Sequence, residues 1–411
     1  MLLSQVDIRH FRSLYEVGLS LKPLTVIIGP NASGKSNLFK ALRFLYDAVA
    51  GDRQDWQAYD AQIDELLWYG YSELGERPED LAFSLHFGEA NGRPKALYSA
   101  VLHAQDYLQA EHEELQIALV DRDGALFPYF EREQETVYQK IGYRGHPLSI
   151  PNRTQARSAR TLFLRDEGPN LRIPAARQVY FNIHGWRFVD VNLTTAREPK
   201  FVPEVPETVP PLAGDGSNLS AFLYALSRLD PDRLSAISDT LADFIDLPQQ
   251  VRPDHDAERG GRNARYGFVE SPFGENRIVP PTSTSDGTIR LLTQLALLMG
   301  DRNVTLACLE EPDHGLHPRL MRYLVDVLRQ TVTPIDNEDG ETVATPQIIV
   351  TTHSPEFMDC FDLGAEQEYL QVYIAERDED GKTHFIPTSA QEFAPWLEKY
   401  RLGEAVRRRF L

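Results

Sequence analysis

The 411-residue sequence predicts an α/β fold, because three apolar runs with the composition of buried strands end in polar or glycine-rich segments. The run 24–28 precedes a glycine-rich segment, and the runs 304–309 and 347–352 end in an acidic pair and a histidine. In an open α/β sheet, side chains that follow such strands line the crevice that holds the ligand. We therefore expect the functional residues at one edge of a mixed central sheet.

The segment after the first run is G-P-N-A-S-G-K-S, and it fits the pattern G-x-x-x-x-G-K-[ST] at every fixed position. With the next residue, its members are Gly29, Pro30, Asn31, Ala32, Ser33, Gly34, Lys35, Ser36 and Asn37. Glycines let backbone N–H groups point at phosphate oxygens, and a helix predicted over 35–46 adds its positive N-terminal end. The pattern predicts a nucleoside triphosphate, with Lys35 on its phosphates and Ser36 on Mg²⁺. A glycine-rich turn that only caps a helix is the structural alternative.

Composition limits the class of protein. The sequence has 42 Lys and Arg against 61 Asp and Glu, a net charge of −19, which argues against a surface that attracts nucleic acid everywhere. It shows neither an apolar run long enough to cross a bilayer nor a secretory layout at its N-terminus. The two cysteines, Cys308 and Cys360, lack the spacing of a disulfide framework or a zinc site. We expect a cytoplasmic protein with no membrane contact.

The middle of the chain changes character several times. Alternation of apolar and polar residues predicts strands in antiparallel hairpins at 81–87, 96–103, 115–120 and 177–182. A Pro- and Glu-rich segment at 199–211 predicts a connection, and helical spacing of apolar residues follows over 218–247. The charged segment 251–265 predicts a mobile loop. The acidic segments 121–124 and 378–381 predict hairpin turns rather than metal loops.

Polar residues suited to phosphate chemistry cluster in the last third of the chain. Glu310 and Glu311 follow one apolar run, His353 follows another, and Ser285-Asp286-Gly287 precedes helical spacing. Hydrolysis of a triphosphate needs a carboxylate that orients water, a metal held by oxygen ligands, and positive groups on the γ-phosphate. Taken alone, these motifs have structural alternatives as a strand end, a structural histidine and a helix cap. Their joint occurrence behind a phosphate-binding loop favours the functional interpretation.

The order of these motifs resembles the ABC-type ATPase heads of the RecF/SMC/OLD group. After the phosphate-binding loop come S-D-G-T at 285–288, L-A-C-L-E-E-P-D-H-G-L-H-P at 306–318 and T-T-H-S-P at 351–355. The N-terminal I-R-H-F-R-S-L at 8–14 is similar to that of short bacterial RecF-like ATPases, and the resemblance extends from Phe11 to Leu402. It implies a P-loop NTPase fold of ABC-ATPase head type, with an antiparallel β-rich region and a helical signature lobe.

The resemblance also implies a domain organisation. We expect one composite head over 1–411, with a nucleotide-binding core from 1–80 and 300–411. A β-rich arm would occupy 81–195, and a helical lobe with the signature motif 212–300. The sequence has no sustained heptad pattern, so we expect no long coiled coil of SMC type, and we expect no appended nuclease domain of OLD type.

Residue by residue, the resemblance implies two groups of roles. Lys35, Glu311 and His353 form the catalytic set, in which Glu311 polarises the attacking water and His353 contacts the γ-phosphate. Ser36 and Glu310 hold the metal, so ATP and Mg²⁺ are the expected cofactors.

The signature residues Ser285, Asp286 and Gly287 would close over the ATP of an opposite protomer, which implies a homodimer formed on ATP binding. Arg12 would add a further nucleotide contact.

Several positions depart from the family pattern. Glu310 stands where ABC heads usually carry Asp, and S-D-G-T replaces S-G-G-Q, which disfavours a transporter ATPase. The glutamine of the Q-loop has three unranked candidates, Gln54, Gln57 and Gln62. His314 and His317 have a spacing like that of metal ligands but belong to the segment after the acidic motif, and we predict no zinc.

Two functions of different classes stay open. The first is an ATPase whose ATP-driven dimerisation gates DNA maintenance, repair or antiphage defence. The second is a switch or scaffold that binds ATP without hydrolysis and recruits a partner effector, and the motor subunit of a transporter is a weaker third. DNA and a separate nuclease or other effector are candidate partners. Arginines that could contact DNA phosphates, or serve as solvated or intramolecular groups, are Arg153, Arg157, Arg160, Arg165, Arg172, Arg177 and Arg407–Arg409.

Overall fold

A computed structural model defines the fold. It describes residues 1–51, 58–59, 62–68, 70, 77–89, 92–118, 125–141, 147–156, 162–203, 205–245, 249–258, 261–270, 277–336, 342–343, 345–388 and 403–404. The chain divides into two compact units. The first contains Met1–Trp186 and Leu363–Pro395, and the second contains Arg187–Asp362 and Trp396–Arg409. The expected core, arm and helical lobe within one composite head stay a prediction.

The strands and helices have the following bounds. The strands are β1 (Leu2–Phe11), β2 (Leu14–Ser20), β3 (Leu24–Ile28), β4 (Asp80–Gly88), β5 (Pro94–Ala104), β6 (Leu108–Ala118), β7 (Leu126–Glu133), β8 (Thr136–Ile141), β9 (Pro147–Gln155), β10 (Trp186–Val189), β11 (Lys200–Val202), β12 (Gln249–Glu258), β13 (Gly261–Glu270), β14 (Ile278–Val279), β15 (Leu306–Glu310), β16 (Ile335–Asp336), β17 (Thr342–Val343), β18 (Gln347–Thr352), β19 (Leu370–Arg377) and β20 (Thr383–Thr388). The helices are α1 (Lys35–Val49), α2 (Ile63–Leu66), α3 (Phe163–Glu167), α4 (Pro174–His184), α5 (Leu193–Ala196), α6 (Leu219–Leu229), α7 (Pro231–Ile245), α8 (Asp286–Leu295), α9 (Pro318–Val332) and α10 (Pro355–Met358). In the described part of the chain, no helix is long and apolar enough to span a membrane.

The first unit contains an antiparallel sheet of eight strands in the order β2-β1-β4-β5-β6-β7-β8-β9. Strand β5 buries every second residue, because successive side chains of a strand point to opposite faces. On the buried side, Phe44 of α1 stacks on Phe83 of β4 with ring centroids 5.6 Å apart, and Phe11 of β1 lies 5.7 Å from Phe44. The predicted antiparallel β-rich region is therefore confirmed.

A second group of strands in the first unit carries the phosphate-binding loop. Strand β3 pairs in parallel with β19, and β19 pairs antiparallel with β20. All five residues of β3 are buried, as expected of a central strand that is covered on both faces. The turn at 378–381 joins β19 to β20, which confirms the predicted hairpin.

The second unit combines parallel strands with helices. Strands β10, β15 and β18 lie side by side in that order, and β15 pairs in parallel with β18. Helices α6 and α7 occupy the region 218–247, where helical spacing predicted them. Strands β11, β13 and β12 form a separate antiparallel sheet, in which β14 also pairs with β13. The mixed α/β fold class is thus the observed one.

The strand predicted over 177–182 is wrong, because these residues belong to helix α4. Val179 and Ile183 are buried together with Ala176, and this spacing of three and four residues is helical. Pro174 lies at the first position of the helix, where the missing N–H costs nothing. The apparent alternation in R-Q-V-Y-F-N came from β-branched and aromatic residues that a helix also accommodates when one face is buried.

The mobile loop predicted over 251–265 is also wrong. Residues 251–258 and 261–265 lie in the paired strands β12 and β13, and β11 within the predicted connection pairs with β13. The charges of the segment pair across the strands, where Arg265 Nη2 lies 2.9 Å from Asp254 Oδ2 and Arg265 Nη1 lies 2.8 Å from Asp256 Oδ2. Cross-strand ion pairs on an exposed face and buried Ala264 on the other explain a strand despite the charged composition.

The arginines expected at a DNA surface have different environments. Arg165 lies at the C-terminal end of α1, where its guanidinium donates to the carbonyl oxygens of Asp47 at 2.7 Å and Gly51 at 2.6 Å. For Arg165, the structure therefore shows the intramolecular role that was the alternative to a DNA contact. Arg153, Arg172 and Arg177 are exposed. Outside the described residues lie Arg157, Arg160, Arg407–Arg409, Gln54, Gln57 and the segment 121–124.

Candidate functional site

The phosphate-binding loop connects β3 to α1 in the first unit. Helix α1 begins at Lys35, as predicted, and extends to Val49, three residues beyond its predicted end. Lys35 is buried, and its Nζ donates to the carbonyl oxygens of Gly29 and Pro30, both at 2.8 Å. The ammonium group therefore lies within the loop, at the position from which the pattern predicts contact with phosphates.

Two glycines of the loop are required by its geometry. Gly34 has a φ of 100°, a region that only glycine enters without strain. A β-carbon on Gly34 would lie 2.0 Å from Thr383 Oγ1, and one on Gly29 would lie 2.4 Å from the carbonyl oxygen of Ala375. Strands β19 and β20 therefore approach the loop more closely than any side chain at these positions would allow.

Polar groups of the loop fit an anionic ligand. Ser33 is buried, and its Oγ has no hydrogen-bond partner within the described part of the chain. A buried hydroxyl without a partner is costly, and a phosphate oxygen would accept a hydrogen bond from it. Ala32 has a φ of 64°, a strained conformation of the kind that concentrates at ligand sites. The nucleotide roles of residues 29–37 stay predictions that this geometry supports.

The turn between β1 and β2 lies beside the loop. Arg12 has a φ of 51°, its N–H donates to the carbonyl oxygen of Leu66 at 2.8 Å, and its buried Nε has no partner among the described residues. The next residue, Ser13, accepts a hydrogen bond from Asn37 Nδ2 at 2.7 Å. The amide of Asn37 is thus engaged by the turn. A nucleotide contact by Arg12 stays a prediction.

In the second unit, the acidic motif and the histidine meet at the ends of two parallel strands. Glu310 ends β15 and lies opposite Thr351 of β18, so the residues that follow each strand are neighbours. His353 Nδ1 lies 2.8 Å from Glu311 Oε1. Glu311 has a φ of 44°, and its N–H donates to the carbonyl oxygen of Thr351 at 2.9 Å. The strained backbone turns the Glu311 carboxylate toward the imidazole.

A buried carboxyl that the sequence did not single out supports this pair. Asp313 is almost fully buried, Thr352 Oγ1 donates to its Oδ2 at 3.1 Å, and its Oδ1 has no partner among the residues described. Burial raises the pKa of Asp313 above its ordinary value. Thr352 Oγ1 also accepts from the N–H of Ser354 at 3.0 Å. Thr352 and Ser354 flank His353, so this short network restrains the histidine. In the sequence, the repeated acidic residues of E-E-P-D and the repeated threonines of T-T-H were the signal that could have pointed to Asp313 and Thr352.

The signature residues begin helix α8. Ser285 is its N-cap, and its Oγ accepts from the N–H of Thr288 at 3.2 Å. Arg197, a residue that the sequence did not single out, donates from Nη2 to Asp286 Oδ1 at 2.6 Å and to the carbonyl oxygen of Thr284 at 3.1 Å. A β-carbon on Gly287 would lie 3.3 Å from the carbonyl oxygen of Gly315. The signature helix and the loop after the acidic motif are therefore closely packed.

An open groove of about 1330 Å³ runs along this packed region of the second unit. Its walls come from the signature residues, the loop after the acidic motif, helix α9 and the short helix α10, and include Ser285, Gly287, Thr288, Gly315, His317 and Arg319. Both polar and apolar side chains line the groove. The groove shows that the signature residues face solvent-accessible space within this unit.

The oxygen ligands expected for Mg²⁺ lie in different units, Ser36 in the first and Glu310 in the second. Hydroxyl and carboxylate oxygens are ligands that Mg²⁺ prefers, and a nucleotide-bound Mg²⁺ usually takes only one or two of them from the protein. Among the described residues, no group of three or more His, Cys, Asp or Glu side chains is placed to hold a metal ion. The Ser36 hydroxyl and the Glu310 carboxylate are each oxygen donors of the kind that Mg²⁺ binds, and their role as its ligands stays a prediction.

Comparisons with known proteins give a family match and a short stretch of sequence similarity. A family model described as "AAA domain, putative AbiEii toxin, Type IV TA system" matches residues 24–359. A stretch of 51 residues is 39% identical to the OLD nuclease of Thermus scotoductus (strain ATCC 700910 / SA-01), and it spans 12% of this chain and 9% of that nuclease.

Solved structures show the same fold over nearly the whole chain. An SMC head bound to the C-terminal winged-helix domain of ScpA has a TM-score of 0.52 at 13% identity, and covers 96% of this chain and 100% of its own. An SMC head with an extended coiled coil, bound to the C-terminal domain of ScpA from Pyrococcus furiosus, has a TM-score of 0.52 at 12% identity. That alignment covers 97% of this chain and 99% of the other.

Proposed function

Because the chain belongs to the AAA_21 family of AAA domains, we propose that it is a Mg²⁺-dependent ATPase whose ATP-driven dimerisation gates DNA maintenance, repair or antiphage defence. Its fold is that of an ABC-type ATPase head of the RecF/SMC/OLD kind, which confirms the resemblance carried by the motif order. Family and fold support ATP binding, and the proposal extends this to hydrolysis, dimerisation and pathway.

The observation that carries the hydrolytic proposal is the contact between Glu311 and His353. A carboxylate that orients or deprotonates water needs a fixed direction, and the 2.8 Å contact with His353 Nδ1 restrains it. A left-handed φ at a residue other than glycine is an energetic cost that a structural strand end would not require. The pair is therefore suited to holding a water in line with a phosphate.

The remaining roles follow from the chemistry of phosphoryl transfer. Lys35 and the N–H groups of the loop would neutralise charge on the transferred phosphate. Ser36 and Glu310 would hold Mg²⁺, which supplies charge neutralisation on the phosphate oxygens. Glu311 would orient the attacking water and accept its proton. Its contact with His353 would keep the carboxylate from rotating between turnovers.

The groove along the signature helix supports ATP-linked dimerisation. Ser285, Gly287 and Thr288 line solvent-accessible space rather than a filled core, so a second protomer could reach them. Arg197 holds Asp286 and the backbone before it, which preorganises the N-terminal end of α8. That helix end would meet the phosphates of the opposite protomer.

The proposed pathway draws on what the similar proteins are named for and bind. The matched fragment of OLD nuclease belongs to a protein named for nuclease activity, and the similar SMC heads were solved with a bound ScpA domain. A partner protein is therefore part of the proposal for this chain, with DNA as a second candidate. Of the arginines expected to contact DNA, Arg153 and Arg177 are exposed, which supports DNA as a candidate.

The decisive experiment compares wild type with Glu311→Gln, in the presence and absence of DNA. We expect wild type to hydrolyse MgATP, and the variant to bind ATP with little change while its kcat falls by about 100-fold or more. Glu207→Gln, which alters an exposed glutamate of the same unit, is the matched control and should retain wild-type turnover.

Three outcomes have distinct meanings. Undiminished hydrolysis in Glu311→Gln would refute the role of Glu311. Tight ATP binding by wild type without turnover would favour the non-hydrolysing switch instead. Sedimentation of Glu311→Gln with ATP tests dimerisation on the same sample, and a monomer at saturating ATP would refute that part of the proposal.

A further inference from the structure

Behind the phosphate-binding loop lies a chain of hydrogen bonds whose central hydroxyl, that of Thr383, belongs to none of the motifs. It joins Asn37 in the first turn of α1, Ser13 in the β1–β2 turn, Thr383 at the start of β20 and the carbonyl oxygen of Ser33. Ser13 and Thr383 are 3% and 1% exposed, so these hydrogen bonds are shielded from water. Thr383 is 350 residues from Ser33 in sequence, so no local pattern connects them.

The direction of each hydrogen bond follows from the number of available protons. Asn37 Nδ2 donates to Ser13 Oγ at 2.7 Å, and Thr383 Oγ1 donates to the Ser33 carbonyl oxygen at 3.1 Å. Each hydroxyl has one proton, so the 2.7 Å contact between Ser13 Oγ and Thr383 Oγ1 must have Ser13 as its donor. All three bonds therefore run in one direction, which lets them polarise one another.

The last bond of this chain orients a peptide group of the loop. The Ser33–Gly34 peptide is trans, so its C=O and N–H point in opposite directions. Thr383 holds the C=O on the side of β20, and the Gly34 N–H is thereby directed to the opposite side. An anion-binding loop needs its N–H groups aligned before the ligand arrives, because reorganisation would cost binding free energy.

We propose that Thr383 is a positioning residue that fixes the direction of the Gly34 N–H before phosphate binds. The hydrogen bond from Ser13 orients the Thr383 hydroxyl for this role. This inference rests on the proposed nucleotide-binding function of the loop. The close approach of β20 agrees with it, since a β-carbon on Gly34 would lie 2.0 Å from Thr383 Oγ1. A backbone hydrogen bond holds Thr383 beside Ser13, because the N–H of Thr383 donates to the carbonyl oxygen of Ser13 at 2.8 Å.

The test uses Thr383→Val, which keeps the shape of the side chain and removes its hydroxyl, and Thr383→Ser, which restores the hydroxyl. Thr388→Val is a matched control on the same strand, because Thr388 Oγ1 donates to the carbonyl oxygen of Val372 at 3.0 Å. Titration of each full-length protein with MgADP gives the dissociation constant. Hydrogen exchange of the nucleotide-free proteins reports the order of the peptide that covers 29–37.

We expect Thr383→Val to weaken MgADP binding about tenfold and to exchange its loop amides about tenfold faster, the effect of one lost buried hydrogen bond. Thr383→Ser should return both values to within about threefold of wild type, and Thr388→Val should leave both unchanged. Equal behaviour of Thr383→Val and wild type in both measurements would refute the proposal. The proposal would also be refuted if Thr383→Ser did not recover MgADP affinity and loop exchange, because side-chain size rather than the hydroxyl would then be responsible.

The two measurements separate this inference from the proposed function. If wild type itself binds no nucleotide, the proposed function fails, and the exchange of the loop in the nucleotide-free proteins still decides whether Thr383 orders it. If wild type binds MgADP and Thr383→Val binds it equally well with unchanged loop exchange, the positioning role alone fails.

Discussion

Replacement of Glu113 by alanine should strongly destabilise the first unit. Glu113 lies on β6 and is fully buried, and its Oε1 accepts from Tyr98 Oη and from the N–H of Leu164, both at 2.9 Å. Its Oε2 accepts from the N–H of Phe163 at 2.5 Å and lies 3.8 Å from Arg132 Nη1. Burial raises the pKa of Glu113, but the four donors around it favour the ionised carboxylate, which only accepts hydrogen bonds.

The expected loss in the free energy of unfolding follows from the groups that lose a hydrogen-bond or ion-pair partner. Glu113→Ala would orphan two backbone N–H groups at the start of α3 and would remove the carboxylate that lies 3.8 Å from the buried guanidinium of Arg132. Each buried donor without a partner costs about 1–3 kcal/mol, and loss of one member of a buried ion pair costs about 3–5 kcal/mol. Because water and local rearrangement would recover part of the sum, we expect a loss of about 3–5 kcal/mol in the free energy of unfolding.

Urea unfolding, followed by circular dichroism and by tryptophan fluorescence, measures this loss. Glu113→Gln keeps the shape and one acceptor oxygen, and should cost about 2 kcal/mol. Glu114→Ala is the matched control, because this neighbour on β6 is only half-buried, and its cost should stay within about 0.5 kcal/mol. A free energy of unfolding for Glu113→Ala within about 1 kcal/mol of wild type would refute the reasoning.

Two further predictions concern the candidate site. Gly34→Ala forces a side chain into a φ of 100° and against Thr383, so MgADP binding should weaken by about 100-fold or more, and a titration that shows less than tenfold weakening would contradict the assigned geometry. Thr352→Val removes the donor to Asp313 Oδ2 and the acceptor for the Ser354 N–H, so kcat should fall about tenfold with KM nearly unchanged. Steady-state kinetics test it, and a raised KM at constant kcat would contradict it.

The spacing of apolar residues in the sequence correctly predicted those helices and strands in which buried residues recur at a regular interval. Helix α1 shows this, since Leu38, Leu42 and Leu45 recur at the spacing of one helix face and are all buried. Helix α4 shows the limit of the same approach. Its alternating aromatic and β-branched residues suggested a strand, while the face buried against β5 and β6 made it a helix. Tertiary packing outweighed a weak intrinsic preference there.

Charge composition was equally ambiguous for the hairpin β12–β13. The carboxylates and arginines of 251–265 suggested a loop because isolated charges favour solvent. Pairing of Arg265 with both Asp254 and Asp256 across the strands let them share an exposed face of a sheet. Pairing between β12 and β13 therefore made this segment a hairpin, and the composition of the segment did not reveal that pairing.

Local sequence patterns were enough to predict the phosphate-binding loop, the acidic motif, the histidine and the α/β class, because each pattern consists of residues that are adjacent in the chain. The parallel register of β15 and β18 brought Glu311 and His353, 42 residues apart, into contact. The hydrogen bond from Thr383 to the loop carbonyl of Ser33, 350 residues away, follows from the folded structure and from no local pattern. Buried hydrogen bonds between distant segments depend on how strands pack, and a one-dimensional pattern does not encode that packing.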